Sequence, residues 1–360
     1  MRLALAQAER AQGISAPNPA VGCVLVDDAG RVIGQGFTQA VGQSHAEVMG
    51  LRDARERGHS CSGATAYVTL EPCAHEGRTG PCCDALIAAG VRRVVAALQD
   101  PNPRVSGQGL ERLRAAGVQV EVGPGAMASR ELNLGFFSRM ERGRPWVRSK
   151  LACSLDGRTA LMNGASQWIT STPAREDGHA WRARAGAVLT GVGTLLRDDP
   201  LLNVRLPQTP RQPLLAIIDS RLRTPQQARL WGVTGRPVLI YTAAASGLQQ
   251  LMRDRGAEVV TLPYANGGVD LRAVLRDLAA REINDVHVEA GATLNGALWR
   301  ADLVDELLLY LAPKLLGSGA GLLNLGPLTD VAQAIELRWM SAERVGPDLR
   351  VLARRADAKP

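Results

Sequence analysis

Three residues with the chemistry of zinc ligands lie close together in the chain, and a glutamate accompanies them. His45 and Glu47 are followed by Cys73 and Cys82, each of which comes directly after a proline. One imidazole and two thiolates supply three ligands to a tetrahedral zinc ion, and catalytic zinc sites leave the fourth position to water. We therefore expect His45, Cys73 and Cys82 to bind zinc and Glu47 to carry protons.

The order of these residues is the signature of zinc-dependent nucleobase deaminases, in which histidine-x-glutamate precedes proline-cysteine. Such a site predicts hydrolytic removal of an amino group, with the zinc acidifying water and the glutamate as general acid and base. Eight residues, 74–81, separate the two cysteines, whereas the short form of the signature has two. Spacing alone does not decide between Cys82 and Cys83 as the third ligand.

Composition limits the classes of partner. The 360 residues predict two domains, and a net charge of +7 favours anionic ligands. Aromatic residues make up only 4% of the chain and no basic cluster is interleaved with them, so a phosphorylated metabolite is favoured over nucleic acid. Neither a signal peptide nor a membrane span is expected. Because cysteines serve as metal ligands here, we expect a reducing, cytoplasmic location.

Hydrophobic patterning predicts that the first half is a three-layer α/β domain built from a hairpin and βα units. A charged segment broken by Gly143 and Pro145 suggests a boundary, which gives domains of 1–144 and 145–360. The predicted elements of the first domain are helices at 2–12, 45–57, 82–89 and 109–116 and strands at 21–26, 32–37, 66–70, 92–98 and 118–122.

The second half predicts a mixed sheet with flanking helices. Strands are expected at 147–152, 187–190, 214–219, 238–242, 259–262 and 286–289, followed by antiparallel strands at 304–312, 337–344 and 349–353. Glycine-bearing segments at 190–194 and 288–296 follow two of these strands and could hold a dinucleotide. They do not spell the Rossmann fingerprint, and a tight turn without a ligand is the alternative for the second.

Several motifs resemble the family of bifunctional riboflavin-biosynthesis deaminase–reductases, in the family's order and over nearly the whole chain. They are GATAYVTLEPCAHEGRTGPCC at 63–83, DPNP at 100–103, SLDGRTA at 154–160, SQWIT at 166–170, DDP at 198–200 and APKLLG at 312–317. The family's spacing between the cysteines matches this chain and selects Cys82 as the ligand. Glu76, Gly80 and Cys153 depart from the family's usual residues.

The resemblance implies a fold and two successive reactions. An N-terminal α/β/α zinc domain of the cytidine-deaminase type would deaminate 2,5-diamino-6-(ribosylamino)-4(3H)-pyrimidinone 5'-phosphate. A C-terminal α/β domain similar to dihydrofolate reductase would then reduce the ribosyl group with NADPH to give 5-amino-6-(ribitylamino)uracil 5'-phosphate. One Zn²⁺ per deaminase domain and NADPH are the implied cofactors. We expect a homo-oligomer, either a dimer or a tetramer, and no nucleic-acid or membrane partner.

The resemblance also implies which residues serve the reductase, and Lys150 is a further polar group expected near the ribose. Arg182 and Arg205 suit the substrate phosphate because a guanidinium binds that group in bidentate fashion. The implied substrate-binding residues are Ser166, Arg182, Leu202, Arg205 and Glu289. The implied cofactor-binding residues are Ala152, Trp168, Thr194, Asp198, Ser220, Gly291, Ala292, Thr293, Leu294, Asn295, Gly296 and Ala297.

Other interpretations of single residues remain open. His75 either contacts substrate or makes a loop-stabilising hydrogen bond, Trp168 is either a core residue or a shelf for the cofactor, and the segment at 198–200 is alternatively a simple turn. No role is assigned to His179 or His287.

Two other functions remain as alternatives. One is a deaminase of tRNA or free nucleosides, which the long loop between the cysteines and the attached sheet domain disfavour. The other is a binding module with a structural zinc ion and a nucleotide-recognising sheet, which would show no turnover.

Overall fold

The computed structural model describes residues 1–74, 80–103, 105–207, 209 and 211–356, so His75 and Glu76 lie outside the described residues. The chain forms two compact units, Met1–Arg144 and Pro145–Pro360. Within the described ranges, every helix is too short or too polar to cross a membrane.

The first unit is a five-stranded sheet with helices packed on it, and its strand order is β2-β1-β3-β4-β5. The strand β1 pairs antiparallel with β2 and β3, whereas β3, β4 and β5 run parallel. The strands are β1 (Gly22–Val26), β2 (Val32–Phe37), β3 (Thr65–Val68), β4 (Arg93–Ala96) and β5 (Gln119–Val122). The helices are α1 (Arg2–Ala11), α2 (Ala46–Glu56), α3 (Cys82–Ala88), α4 (Gln108–Ala115), α5 (Ala126–Leu132) and α6 (Leu134–Arg142).

Helix α2 lies directly on the backbone of β2, and glycine makes this approach possible. A Cβ atom on Gly36 would lie 2.5 Å from the Gly50 nitrogen and 2.6 Å from the Ala46 carbonyl oxygen. Asp53 on the same helix accepts a hydrogen bond from the Gln35 backbone nitrogen at 2.8 Å. Helix and strand are therefore in backbone contact, which fixes the position of the first turn of α2.

The second unit contains a nine-stranded sheet of order β11-β10-β9-β8-β14-β6-β15-β18-β17. Strands β11 to β15 in this order run parallel, and β18 is antiparallel to both β15 and β17. The strands of this sheet are β6 (Trp146–Ser154), β8 (Ala187–Gly191), β9 (Leu214–Ile218), β10 (Val238–Thr242), β11 (Ala257–Thr261), β14 (Asp285–Val288), β15 (Glu306–Ala312), β17 (Leu337–Val345) and β18 (Asp348–Arg355).

Two short antiparallel pairs, five α-helices and two short 3₁₀ helices (Arg229–Gly232 and Val331–Gln333) complete the described part of this unit. The pairs are β7 (Arg158–Leu161) with β16 (Gly319–Gly321) and β12 (Tyr264–Ala265) with β13 (Gly268–Val269). The helices are α7 (Thr172–Arg184), α8 (Val192–Asp198), α9 (Leu248–Asp254), α10 (Leu271–Ala280) and α11 (Ala292–Arg300). The mixed sheet with flanking helices is thus confirmed, and α8 begins inside the segment at 190–194 that the sequence suggested as a glycine loop.

Charged side chains, rather than apolar ones, fill part of the space between the sheet and α7. Glu306 is buried between two arginines, with Arg148 Nε at 2.5 Å and Arg354 Nε at 2.9 Å. Nearby, His287 of β14 has no exposed surface, and burial lowers its pKa to about 3. This imidazole is therefore held neutral in the folded protein.

The neutral state of His287 predicts a pH-dependent stability. Below pH 6.5 His287 binds a proton in the unfolded chain but stays neutral in the folded protein, so acid favours unfolding. Between pH 7 and pH 5, the free energy of unfolding should fall in both proteins. The fall should be roughly 2 kcal/mol smaller in His287→Gln than in wild type. All six tryptophans lie at or beyond residue 146. Denaturation followed by tryptophan fluorescence therefore reports on the second unit.

His59→Gln is the matched control because His59 is exposed in the first unit. An equal pH dependence in wild type and His287→Gln would show that His287 is protonated at little cost in the folded state.

Candidate active sites

The first site is formed where α2 begins. His45 is the N-cap residue of α2 with an extended backbone (φ −78°, ψ 170°), and its imidazole does not cap the helix. Glu47 lies in the first turn of α2, where the helix dipole favours negative charge, and only 3% of it is exposed. The contact between α2 and β2 therefore positions both side chains together.

The two cysteines reach the same place from different elements. Cys73 follows β3, and Cys82 is the first residue of α3. The His45 Nδ1 atom lies 3.6 Å from Cys73 Sγ and 3.3 Å from Cys82 Sγ, and the Cys82 backbone nitrogen donates to Cys73 Sγ at 3.4 Å. The ligand atoms of the three residues all lie within 4.8 Å of one another. Such a trio of donors can hold one metal ion.

The electrostatics of the sulfur pair favour a cation between them. The hydrogen bond from the Cys82 thiol lowers the pKa of Cys73 well below the ordinary value of a thiol. The same hydrogen bond, together with burial, raises the pKa of Cys82. The pair thus shares one proton in the absence of metal, and a divalent cation that replaces this proton would neutralise both sulfurs.

The carboxyl group of Glu47 is tuned for proton transfer near neutral pH. Burial, and then the negative charge of Cys73, raise its pKa to about 7. A group with a pKa near the working pH can both accept and release a proton.

The structure distinguishes the two adjacent cysteines. Cys82 belongs to the donor cluster, whereas the Cys83 thiol points to the Asp84 carboxylate at 3.7 Å and packs in the apolar core. Cys23 is buried in the same core, and Cys61 is partly buried against it. Among the described residues, these three thiols lie outside the cluster that could hold a metal.

The second site is a cleft of about 1590 Å³ in the second unit. Its walls include the segments that follow the carboxyl ends of β8, β9 and β14, where open α/β sheets bind ligands. The sequence-predicted residues that line it are Lys150, Ala152, Ser166, Trp168, Arg182, Thr194, Asp198, Leu202, Arg205, Ser220, Glu289, Gly291, Ala292, Thr293, Leu294 and Ala297.

Two of the predicted cofactor-binding residues do not line the cleft. Asn295 is fully buried, accepts a hydrogen bond from Ser149 Oγ at 2.7 Å and donates to the Ala290 carbonyl oxygen at 2.6 Å. Gly296 packs against residue 324, where a Cβ atom would lie 2.1 Å from the Asn324 carbonyl oxygen. Both residues therefore hold α11 in place, while the residues before them face the cleft.

Arg182 and Glu289 form an ion pair at the base of the cleft. Arg182 Nε donates to Glu289 Oε1 at 2.5 Å and Arg182 Nη2 donates to Glu289 Oε2 at 2.9 Å, while Nη1 contacts His179 Nδ1 and the Asn203 carbonyl oxygen. Burial alone would raise the pKa of Glu289, but the charge and hydrogen bonds of Arg182 lower it below its ordinary range. Glu289 is therefore ionised, and Arg182 orients it.

The rim and floor of the cleft also carry functional groups. Trp168 is 62% exposed with the Arg175 guanidinium 4.4 Å from its ring centroid, so Trp168 is not a core residue. Burial lowers the pKa of Lys150, whose amino group lies 5.7 Å from the centre of the Tyr310 ring. Lining residues that were not predicted include Arg197, Arg223, Arg229, Arg272, Arg300 and 265–271, which are so far apart in sequence that they form no local motif.

Comparison with known protein families assigns a domain type to each half of the chain. Residues 1–98 match the cytidine and deoxycytidylate deaminase zinc-binding region, and residues 145–351 match the RibD C-terminal domain. These matches confirm the expected fold classes.

Full-length relatives resemble the chain over both units. The riboflavin biosynthesis protein RibD of Escherichia coli strain K12 is 46% identical, covering 97% of this chain and 96% of that protein. RibD of Aquifex aeolicus is 38% identical over 99% and 97% of the two chains.

Solved structures give the same result. Acinetobacter baumannii RibD matches with a TM-score of 0.90 and 40% identity, covering 99% of this chain and 98% of that one. A Thermotoga maritima protein, described as a diaminohydroxyphosphoribosylaminopyrimidine deaminase/5-amino-6-(5-phosphoribosylamino)uracil reductase, matches with a TM-score of 0.88 and 32% identity over 99% and 97%. The chain therefore belongs to the RibD family of riboflavin biosynthesis proteins, which join a zinc-binding deaminase domain to a reductase domain.

Proposed function

We propose that the protein catalyses two successive steps of riboflavin biosynthesis, with residues 1–144 as the deaminase and residues 145–360 as the reductase. The substrate of the first step is 2,5-diamino-6-(ribosylamino)-4(3H)-pyrimidinone 5'-phosphate, and the final product is 5-amino-6-(ribitylamino)uracil 5'-phosphate. The main support for this proposal is the cluster of His45, Cys73 and Cys82 beside the buried Glu47, in a chain of this family.

Zinc fits the first site because its donors are one imidazole and two sulfurs, one of which has a strongly lowered pKa. Bound there by His45, Cys73 and Cys82, zinc would acidify water and stabilise developing negative charge. Glu47 takes a proton from the water molecule that adds to the ring carbon. It passes this proton to the ring nitrogen, then takes the remaining proton of the added hydroxyl and gives it to the amino group, which leaves as ammonia while the ring carbonyl forms.

Replacing Glu47 tests this role. Glu47→Gln keeps the size of the side chain but cannot shuttle protons, so we expect ammonia release to fall by about 10²- to 10⁴-fold. Zinc content and NADPH-dependent reduction of deaminated substrate should stay at wild-type levels. The measurements are coupled ammonia release, metal analysis and NADPH absorbance.

Glu56→Gln is the control, because Glu56 is exposed at the other end of the same helix. Deamination by Glu47→Gln at a near wild-type rate would rule out the proton-carrying role.

The choice between the adjacent cysteines is tested by metal content. Cys82→Ser removes a sulfur from the donor cluster and should abolish stoichiometric zinc binding together with deamination. Cys83→Ser should retain zinc, because its thiol lies in the apolar core and contacts Asp84. Loss of zinc from Cys83→Ser but not from Cys82→Ser would reverse the assignment.

In the second unit, the size of the cleft and the uncapped first turn of α11 support binding of NADPH. NADPH would supply a hydride to the sugar carbon, and the protein would position the two molecules. We assign Ala152, Trp168, Thr194, Asp198, Ser220, 291–294 and Ala297 to the cofactor. Asn295 and Gly296 would support that surface from beneath.

The substrate would occupy the part of the cleft lined by Ser166, Lys150, Leu202, Arg205 and Glu289. Arg205 is exposed, and its Nη1 atom donates a hydrogen bond to Asn203 Oδ1 at 3.0 Å, which leaves other N–H groups of the guanidinium to reach a phosphate. Arg182 orients Glu289 and remains a second candidate for the phosphate.

Arg205→Gln tests phosphate recognition. Loss of charged hydrogen bonds worth about 1.5–3 kcal/mol should raise the KM of the phosphorylated substrate roughly 10- to 100-fold. The KM of a dephosphorylated substrate should not change. Arg221→Gln is the control, since Arg221 is exposed and is not among the residues lining the cleft. An equal KM change for both substrates would place the phosphate elsewhere.

We further propose that the protein works in the cytoplasm as a homo-oligomer, a dimer or a tetramer. None of the six cysteines forms a disulfide, which agrees with a reducing compartment. Light scattering coupled to size-exclusion chromatography measures the number of subunits directly.

A further inference from the structure

Glu71, two residues before the first cysteine ligand, is tied to a distant segment of the first unit. Only 4% of this residue is exposed. Its Oε2 atom accepts hydrogen bonds from the backbone nitrogens of Asp100 (3.1 Å) and Gly107 (2.9 Å). Its Oε1 atom accepts from those of Gly109 (2.9 Å) and Leu110 (3.4 Å). The buried carboxylate thus caps the start of α4 from outside the helix.

The backbone after Glu71 is in direct contact with α4. A Cβ atom on Gly109 would lie 1.9 Å from the Pro72 carbonyl oxygen, so only glycine fits here. The N-cap residue Gly107 has a left-handed backbone with φ 86°. Helix α4 therefore begins against the peptide that leads into Cys73.

The other contact from α4 reaches both cysteine segments. Arg112 Nη1 donates to the Ala74 carbonyl oxygen at 3.2 Å, and Arg112 Nη2 donates to Asp84 Oδ2 at 2.7 Å. Ala74 directly follows Cys73, and Asp84 lies in the first turn of α3, which begins with Cys82. One helix is thus hydrogen-bonded to the flanks of both ligands.

We propose that Glu71 and Arg112 are positioning residues that use α4 to hold the two cysteine sulfurs at the separation zinc requires. This inference rests on the proposed zinc site. In the short form of the signature, two residues separate the cysteines, so a single turn of chain can hold both sulfurs. Here eight residues separate them and they leave different elements, so a third element sets their distance.

The test is the zinc affinity of the full-length protein, measured by competition with a chromophoric chelator. In Glu71→Gln, an amide NH₂ replaces one acceptor and faces backbone N–H donors, so the link to α4 is broken. Arg112→Gln removes the charged link to Asp84. We expect each variant to bind zinc about 10- to 100-fold more weakly than wild type.

The matched controls are Glu111→Gln and Arg114→Gln, which make the same changes at exposed positions on α4. Both should keep wild-type zinc affinity. NADPH-dependent reduction of deaminated substrate verifies that the second unit is intact in every variant.

Two further readouts separate positioning from general loss of structure. Cobalt(II)-substituted Glu71→Gln and Arg112→Gln should show altered sulfur-to-cobalt charge-transfer bands, and excess zinc should restore much of their deamination. Wild-type affinity and spectra in the folded variants would overturn the inference. If Glu71→Gln does not fold, Arg112→Gln decides alone, since the Arg112 side chain is 49% exposed. Absence of zinc binding by wild type would instead reject the proposed function.

Discussion

Two sulfur atoms, an imidazole and a buried carboxylate occupy one small volume, and their mutual electrostatics govern the first unit. Cys73 can lose its proton because Cys82 keeps one, and the charge on Cys73 contributes to the raised pKa of Glu47. Such an arrangement is costly without a compensating cation, since buried charges need partners. Much of the surrounding structure, from the glycine contact of α2 to the start of α4, keeps these groups from moving apart.

In the second unit the excess charge has the opposite sign, because positively charged residues outnumber negatively charged ones around the cleft. Glu289 remains ionised there since Arg182 compensates for its burial, while burial lowers the pKa of Lys150. The Nε2 atom of the neutral His287 imidazole lies 3.6 Å from Glu289 Oε1, the same oxygen that accepts the hydrogen bond from Arg182 Nε. The surroundings therefore shift the pKa values of two buried carboxyl groups in opposite directions. The pKa of Glu47 in the first unit is raised, and that of Glu289 in the second unit is lowered.

The sequence predicted that His45, Cys73 and Cys82 would lie together beside Glu47, because the types and order of these residues are specific. It could not separate Cys82 from Cys83 by spacing, since both lie in one helical turn and only packing differs. The strands of both sheets were predicted from their apolar runs, but strand order was not. Asn295 and Gly296 were grouped with the cofactor loop because the sequence does not show which face of α11 meets the cleft. The bonds from Glu71 to residues 29 to 39 positions away also needed the structure.

Strand order in the large sheet has a consequence for biosynthesis of the chain. The first strand of the second unit, β6, lies between β14 and β15, which the ribosome adds more than 130 residues later. Strand pairs so distant in sequence form slowly, because loop closure must precede the contacts that stabilise it. We therefore expect the first unit to acquire its native structure during translation, while β6 waits for almost the entire chain to emerge.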